Sequence, residues 1–380
     1  MNLRQDLDYK QLTLFKSNEQ LKNEKNVKRY FTGNNDIDHP FPGTRYQGSK
    51  YKITNWIWDN IKELSFNTAL DAFGGTGSVA HMLKRKGKIV TYNDILKFNC
   101  VIGKALIENT NTTFEEEDIK NILIKQNDII YPTFIQDTFR DIFYLDEENA
   151  WLDMVITNIR CLRCEYKQAI AWFALFQSCT SKRPYNLFHR ANLYVRTSNV
   201  KRNFGNKVTW DKSFEDHFKY FIKEANRAVF SNGKQCKAIN FDALEIPSPQ
   251  FDLVYIDTPY ISNKGVGTDY LDFYHFLEGM LDYDNWDNRI MKEYKHLPLI
   301  GKGNSAWANK SKIFIAFECL FKKYKDSIMV VSYRSDGIPS EEELIFLLKK
   351  FKNNIYEVKS KDYQYALSNN KSAEILIIAE

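Results

Sequence analysis

The residues best suited to chemistry are Asp257, Thr258, Pro259 and Tyr260, which follow directly on Leu253, Val254, Tyr255 and Ile256. That short apolar run, rich in β-forming residues, has the pattern of a strand buried on both faces. Pro259 has no N–H to give a ladder, so the strand stops and the chain turns. The turn sets a carboxylate, backbone carbonyls and an aromatic ring at the carboxyl end of a sheet strand, where open α/β sheets bind ligands.

An element able to place a ligand beside that turn lies upstream. Residues 68–83 read as strand, glycine loop and helix: Thr68 to Asp71, then Phe73, Gly74, Gly75, Thr76 and Gly77, then a helix capped by Ser78. Gly75 and Gly77 permit positive φ and close backbone approach, and the free N–H groups of the helix start face the loop. A second strand over 88–92 ends in Asn93 and Asp94, about 20 residues after the glycines, where a carboxylate accepts hydrogen bonds from ribose hydroxyls. The loop is not G-x-G-x-x-G, and no G-K-[ST] loop occurs. A ligand with a ribose but no pyrophosphate is therefore expected. Before the first strand, a turn-rich stretch from His39 runs into a helix marked by Ile53, Trp56, Ile57 and Ile61. Lys50 stands at its start, where the macrodipole disfavours a cation. It is expected to be held there for an anionic ligand.

The 380 residues are 43% hydrophobic and 27% charged, ordinary for a soluble globular chain. No apolar run approaches the roughly 20 residues that span a bilayer, and the start has no signal-peptide core; the expected location is the cytoplasm, on the nucleoid. Cys161 and Cys164 form a lone C-x-x-C without a second pair, so no metal is expected. The net charge of +5 is unevenly spread: residues 160–240 carry 16 Lys and Arg against 5 Asp and Glu, leaving the remainder net acidic. In this window Trp172, Phe173, Phe176, Tyr185, Phe188, Tyr194, Phe204 and Trp210 are interleaved with the basic residues. A basic, aromatic segment between two halves of a nucleotide fold suggests an inserted nucleic-acid-binding domain. Its best candidate contacts are Arg196, Ser198, Asn199, Lys201, Arg202, Asn203 and Lys207, polar side chains able to read base edges and phosphates. The α/β pattern resumes at 235–242, which ends in Asn240, Phe241 and Asp242, and continues through strands at 251–260, 326–333 and 374–379.

Taken in order, these motifs resemble the DNA adenine-N6 methyltransferases of the Dam-like (D12) class. The resemblance covers about 41–110 and 235–380 and rests on the stretch 45–50, the F-x-G-x-G loop from Phe73 to Gly77, and Asp94. It rests further on 240–242, the Asp257 to Tyr260 turn in place of D-P-P-Y, the helix over 270–276 and the strand end at 332–336. It implies a Rossmann-like AdoMet-dependent methyltransferase sheet with an inserted, mainly helical DNA-recognition domain. The expected division is an arm over 1–40, catalytic parts over 41–130 and 235–380, and the recognition insert over 131–234. It further implies S-adenosyl-L-methionine as cofactor, contacted by Tyr46, Lys50, Asp71, Phe73, Gly75, Gly77, Asp94, Phe241, Asp242 and Asp257, with duplex DNA as partner. Thr258 departs from the family pattern, yet the position acts through its backbone carbonyl, which Thr retains; what is lost is some rigidity of the loop.

The chemistry follows from the residue types. An exocyclic adenine amine is a weak nucleophile because its lone pair is delocalised into the ring. The Asp257 carboxylate and Thr258 carbonyl can accept its two N–H bonds as positive charge develops, while Tyr260 stacks on a flipped base. Cytosine-C5 chemistry needs a Cys nucleophile, usually after proline, and no Pro-Cys pair exists; cytosine-N4 enzymes usually carry Ser where Asp257 stands. N6 methylation of RNA and a catalytically silent DNA-binding protein are the alternative readings. Near the start, Gln11, Leu12, Thr13, Leu14 and Phe15 resemble the motif by which bacterial repair proteins dock on the DNA polymerase sliding clamp, with Leu and Phe as anchors.

Overall fold

A computed structural model describes residues 39–198, 207–247, 250–359 and 373–380. The clamp-like segment 11–15, and Asn199, Lys201, Arg202, Asn203 and Phe204, lie outside the described residues.

The strands are β1 (Thr68–Asp71), β2 (Ile89–Asn93), β3 (Lys237–Ile239), β4 (Leu253–Ile256), β5 (Ile261–Ser262), β6 (Ile328–Arg334), β7 (Gly337–Ile338), β8 (Ile355–Lys359) and β9 (Glu374–Ala379). Seven form a mixed sheet in the order β3-β2-β1-β4-β6-β9-β8, and β5 pairs with β7. The pairs from β3 to β6 are parallel; β9 runs antiparallel to both β6 and β8. This is the mixed α/β sheet expected of a methyltransferase.

Side-chain alternation divides the sheet's two faces. Ala69, Leu253, Tyr255, Val330, Leu376 and Ile378 enter one core. Leu70, Val254, Ile256, Val331, Ile375 and Ile377 enter the other, beneath the helices Ile313–Lys323 and Glu341–Leu348. Both faces of the parallel strands are thus covered, which explains their continuous apolar sequence.

The parity reaches the strand ends. Asp71, Asp257, Ser332 and Glu374 continue the first face, two residues on from Ala69, Tyr255 and Val330 and two before Leu376. Because β9 is antiparallel and Glu374 pairs with Arg334, the start of β9 lies at the edge where the parallel strands finish.

The segment between β2 and β3 is mainly helical, with long helices at Asp146–Arg160, Glu165–Ser181 and Phe214–Ala228. Trp172, Phe173, Phe176 and Phe188 are buried in the same cluster as Ala69, Val90 and Tyr92, and Trp210 is buried too. Their interleaving with basic residues reflects a helical core that covers the sheet, not a row of rings facing solvent. Tyr185 and Tyr194 are exposed. Among the described residues no helix is long and apolar enough to cross a membrane.

Candidate active site

The glycine loop is shaped from beneath by Tyr92. Its hydroxyl donates to the Gly75 carbonyl at 2.7 Å, and a Cβ on Gly74 would sit 2.0 Å from its ring. Gly75 and Gly77 take φ of +51° and +78°, as the sequence led one to expect. Gly74 is demanded by packing instead, a requirement that emerges only when Tyr92 folds under it.

Asp94 closes the loop's open side. Its Oδ2 accepts from the Gly75 amide at 2.9 Å and its Oδ1 from the Leu96 amide at 2.8 Å. Burial raises its pKa to about 6 against the pull of those amides and of Asn99. The amides of Gly75 and Leu96 and the side chain of Asn99 leave one of the carboxylate's lone-pair sites open, so it remains able to accept from a ligand hydroxyl. Asn93 ties this strand end to its neighbour: its Nδ2 donates to the Phe241 carbonyl at 3.1 Å and its Oδ1 accepts from the Phe241 amide at 3.0 Å. Phe241 is thereby fixed by its backbone to Asn93, next in sequence to Asp94, while the residue stays 40% exposed. Asp242 is half-buried and accepts from the Leu244 amide at 2.9 Å.

Tyr46 lies over Gly75, whose Cβ would meet its ring at 3.5 Å. It stacks with Tyr274 at 4.6 Å and Tyr270 at 5.5 Å between centroids. The Gln47 amide donates to the Tyr274 hydroxyl at 2.9 Å, so the 45–50 stretch is held against the helix Tyr270–Met280. Phe73 meets Trp307 edge-on at 4.9 Å.

Two of the expected cofactor contacts, Asp71 and Lys50, are engaged within the protein. Asp71 is buried, and the amides of Ala80 and Phe73 donate to it; burial first, and the nearby Asp257 charge second, push its pKa up to about 8. It supports the loop from inside. Lys50 is held by the protein's own anions: its Nζ lies 2.9 Å from Asp257 Oδ1, 2.8 Å from Asp257 Oδ2 and 3.5 Å from Glu374 Oε1.

The Asp257 turn is well braced. The Tyr260 hydroxyl lies 2.7 Å from Asp257 Oδ1, 3.1 Å from Glu374 Oε1 and 2.6 Å from Lys50 Nζ. Its ring packs edge-on against Tyr333 at 5.0 Å. The Thr258 side chain is buried and its hydroxyl donates to the Pro259 carbonyl at 3.2 Å. The Ser332 hydroxyl donates to Glu374. Glu374 was not foreseen from the sequence, where it reads only as the first residue of a terminal strand.

The nucleic-acid contacts fare unevenly. Arg196 is half-buried and makes a bidentate pair with Glu148, at 2.9 and 2.7 Å, which also holds Lys182 at 2.9 Å. Burial pushes Glu148 up, but Arg196 and Lys182 outweigh it and leave its pKa below the ordinary value. Both terminal nitrogens of Arg196 are thus held by Glu148. The Ser198 hydroxyl donates to the Tyr194 carbonyl. Lys207 is exposed and pairs with Asp211 at 2.9 Å.

Sheet order, glycine loop and acid-ended strands together define a methyltransferase-type site. Residues 46–333 match the D12 class N6 adenine-specific DNA methyltransferases, and the chain belongs to that family. It is 27% identical over 363 residues to the type II methyltransferase M2.HphI of Haemophilus parahaemolyticus, covering 90% of this chain and 98% of that protein. It is 26% identical to the modification methylase LlaI of Lactococcus lactis subsp. lactis, over 86% of this chain and 52% of that protein. To the type II methyltransferase M.CviAII of Paramecium bursaria Chlorella virus 1 it is 24% identical, over 80% of this chain and 88% of the relative. The chain thus spans nearly all of M2.HphI and about half of LlaI.

Proposed function

We propose that the chain transfers a methyl group from S-adenosyl-L-methionine to the N6 amine of an adenine flipped out of duplex DNA, as a modification enzyme of a type II restriction system or as a solitary methylase. The observation that carries this is the Asp257 to Tyr260 turn at the carboxyl end of β4, next to β1 and its glycine loop: the Ala72 amide donates to the Tyr255 carbonyl at 3.0 Å. Acceptor and cofactor loop are thus joined backbone to backbone.

The residues present fit the cofactor. Gly75 and Gly77 shape the loop at positive φ, Asp94 offers acceptors for ribose hydroxyls, and the exposed Phe241 with Asp242 suits an adenine. When bound, S-adenosyl-L-methionine supplies an electrophilic methyl group. The protein's share is positioning and electrostatics. Asp257 and the Thr258 carbonyl accept from the substrate amine, keeping its lone pair out of the ring, and Tyr260 offers a stacking face. The helical segment over 131–234 is proposed to carry target recognition, with Lys207, Ser198 and the basic stretch 199–206 against the phosphates.

Incubation with tritiated S-adenosyl-L-methionine and duplex DNA, single strands or RNA, followed by digestion to nucleosides, tests the reading. Label in N6-methyldeoxyadenosine from duplex DNA is expected. Label from RNA alone points to the RNA reading, and no label with DNA binding intact points to a silent binder.

A further inference from the structure

Asp257 is the acceptor the reaction needs, yet both of its oxygens already have partners within the protein. Oδ1 faces Lys50 at 2.9 Å and the Tyr260 hydroxyl at 2.7 Å, and Oδ2 faces Lys50 at 2.8 Å. An ammonium in contact with both oxygens cancels the charge that is to stabilise a cation developing on the substrate amine. Lys50 is 3% exposed, and a buried ammonium leaves one anion only for another.

That second anion is in place. Glu374 is 0% exposed, anchored by the Ser332 hydroxyl, and already touches both donors that occupy Asp257: the Tyr260 hydroxyl at 3.1 Å and Lys50 Nζ at 3.5 Å. Two donors are shared between two carboxylates. We infer that Glu374 is a positioning residue that takes Lys50 and the Tyr260 hydroxyl from Asp257 when the substrate amine arrives; this rests on Asp257 being the acceptor proposed above. Counted over these described residues, Asp257 and Glu374 exceed Lys50 by one formal negative charge. With Lys50 drawn to Glu374, that charge is left to Asp257 and the amine.

The test is steady-state transfer of tritiated methyl groups into unmethylated duplex DNA, with circular dichroism and DNA binding measured for each variant. Glu374→Gln is expected to lower kcat by about 100-fold, the order seen when a polar group that stabilises transition-state charge is removed, and to leave KM for the methyl donor within about threefold. Adding Lys50→Gln removes the competing cation, so the double variant is expected to recover about tenfold over Glu374→Gln alone, a non-additivity that residues acting as a unit show. A merely structural Glu374 makes the double variant worse. If Glu374→Gln does not fold, Glu374→Asp, one methylene shorter, takes its place with the same split and recovery expected. A kcat near the wild type in the single variant, or a double variant no faster than it, overturns the inference. Asp257→Ala in the same assay separates the two proposals: if it is active, the acceptor assignment fails; if it is inactive while the Glu374 variant is active, only the role of Glu374 fails.

Discussion

The Tyr92 hydroxyl donates to the Gly75 carbonyl at 2.7 Å, and the same ring occupies the space a side chain on Gly74 would need. One residue of β2 therefore sets both the height and the composition of the cofactor loop. Gly74→Ala must displace the ring of Tyr92, and overpacking of this kind costs about 1–3 kcal/mol. Urea unfolding and calorimetric titration with S-adenosyl-L-methionine are expected to show lost stability and weakened binding together; unchanged values in both would refute the relation. Tyr92→Phe keeps the packing and loses one hydrogen bond, about 1 kcal/mol.

Phe241 separates binding from folding. The residue is 40% exposed and its backbone is held by Asn93. Phe241→Ala is expected to weaken cofactor binding about tenfold, the scale of one aromatic contact, and to shift stability by no more than about 0.5 kcal/mol. A large stability loss with intact binding would reassign the ring to the core.

Asp94 gives a pH signature with opposite signs. Its pKa of about 6 means that the better acceptor, the carboxylate, is lost as pH falls through 6, so cofactor affinity is expected to drop by up to about tenfold per unit below that point. Stability of the protein alone runs the other way. A carboxyl whose folded pKa lies above its unfolded value favours the folded state when protonated, so stability declines as pH rises from about 4 through 6. Asp71, at about 8, extends the same decline upward. Asp94→Asn is expected to flatten the affinity profile and to leave the Asp71 portion of the stability profile; an unaltered affinity profile would exclude Asp94.

Arg196 and Lys207 are expected to behave differently despite their shared charge. The Arg196–Glu148 pair is half-buried and bidentate, and leaving Glu148 without that partner costs about 1–3 kcal/mol. Lys207 and Asp211 are exposed at 68% and 59% of their side chains, where a pair contributes about 0–1 kcal/mol. Arg196→Ala should thus lower the thermal midpoint without changing the salt slope of DNA binding. Lys207→Ala should reduce that slope and leave the midpoint in place. The reverse pattern would return Arg196 to the DNA surface.

What could be read from the sequence is what local patterns determine. Proline ends a strand, glycines permit positive φ, and an acid after a strand lies at its carboxyl edge; Asp257, Gly75, Gly77 and Asp94 follow from these rules alone. Glu374 escapes them because it begins an antiparallel strand, and only the pairing with Arg334 brings a strand start to the edge where others end. Lys50 was rightly noticed as an ill-placed cation, but its partners are Asp257 and Glu374, residues near the other end of the chain. Arg196 looked exposed because its neighbours are polar; its partner Glu148 lies on a distant helix. Trp172 and Phe176 share a helix buried nearly all round, where amphipathic periodicity is lost.

The central claim is that Asp257 receives the substrate amine. It is tested most directly by single-turnover methyl transfer to duplex DNA by Asp257→Ala, with DNA and cofactor affinities measured on the same preparation. The expected result is at least a roughly 100-fold loss of transfer with both affinities retained. Near-normal transfer by that variant would contradict the claim.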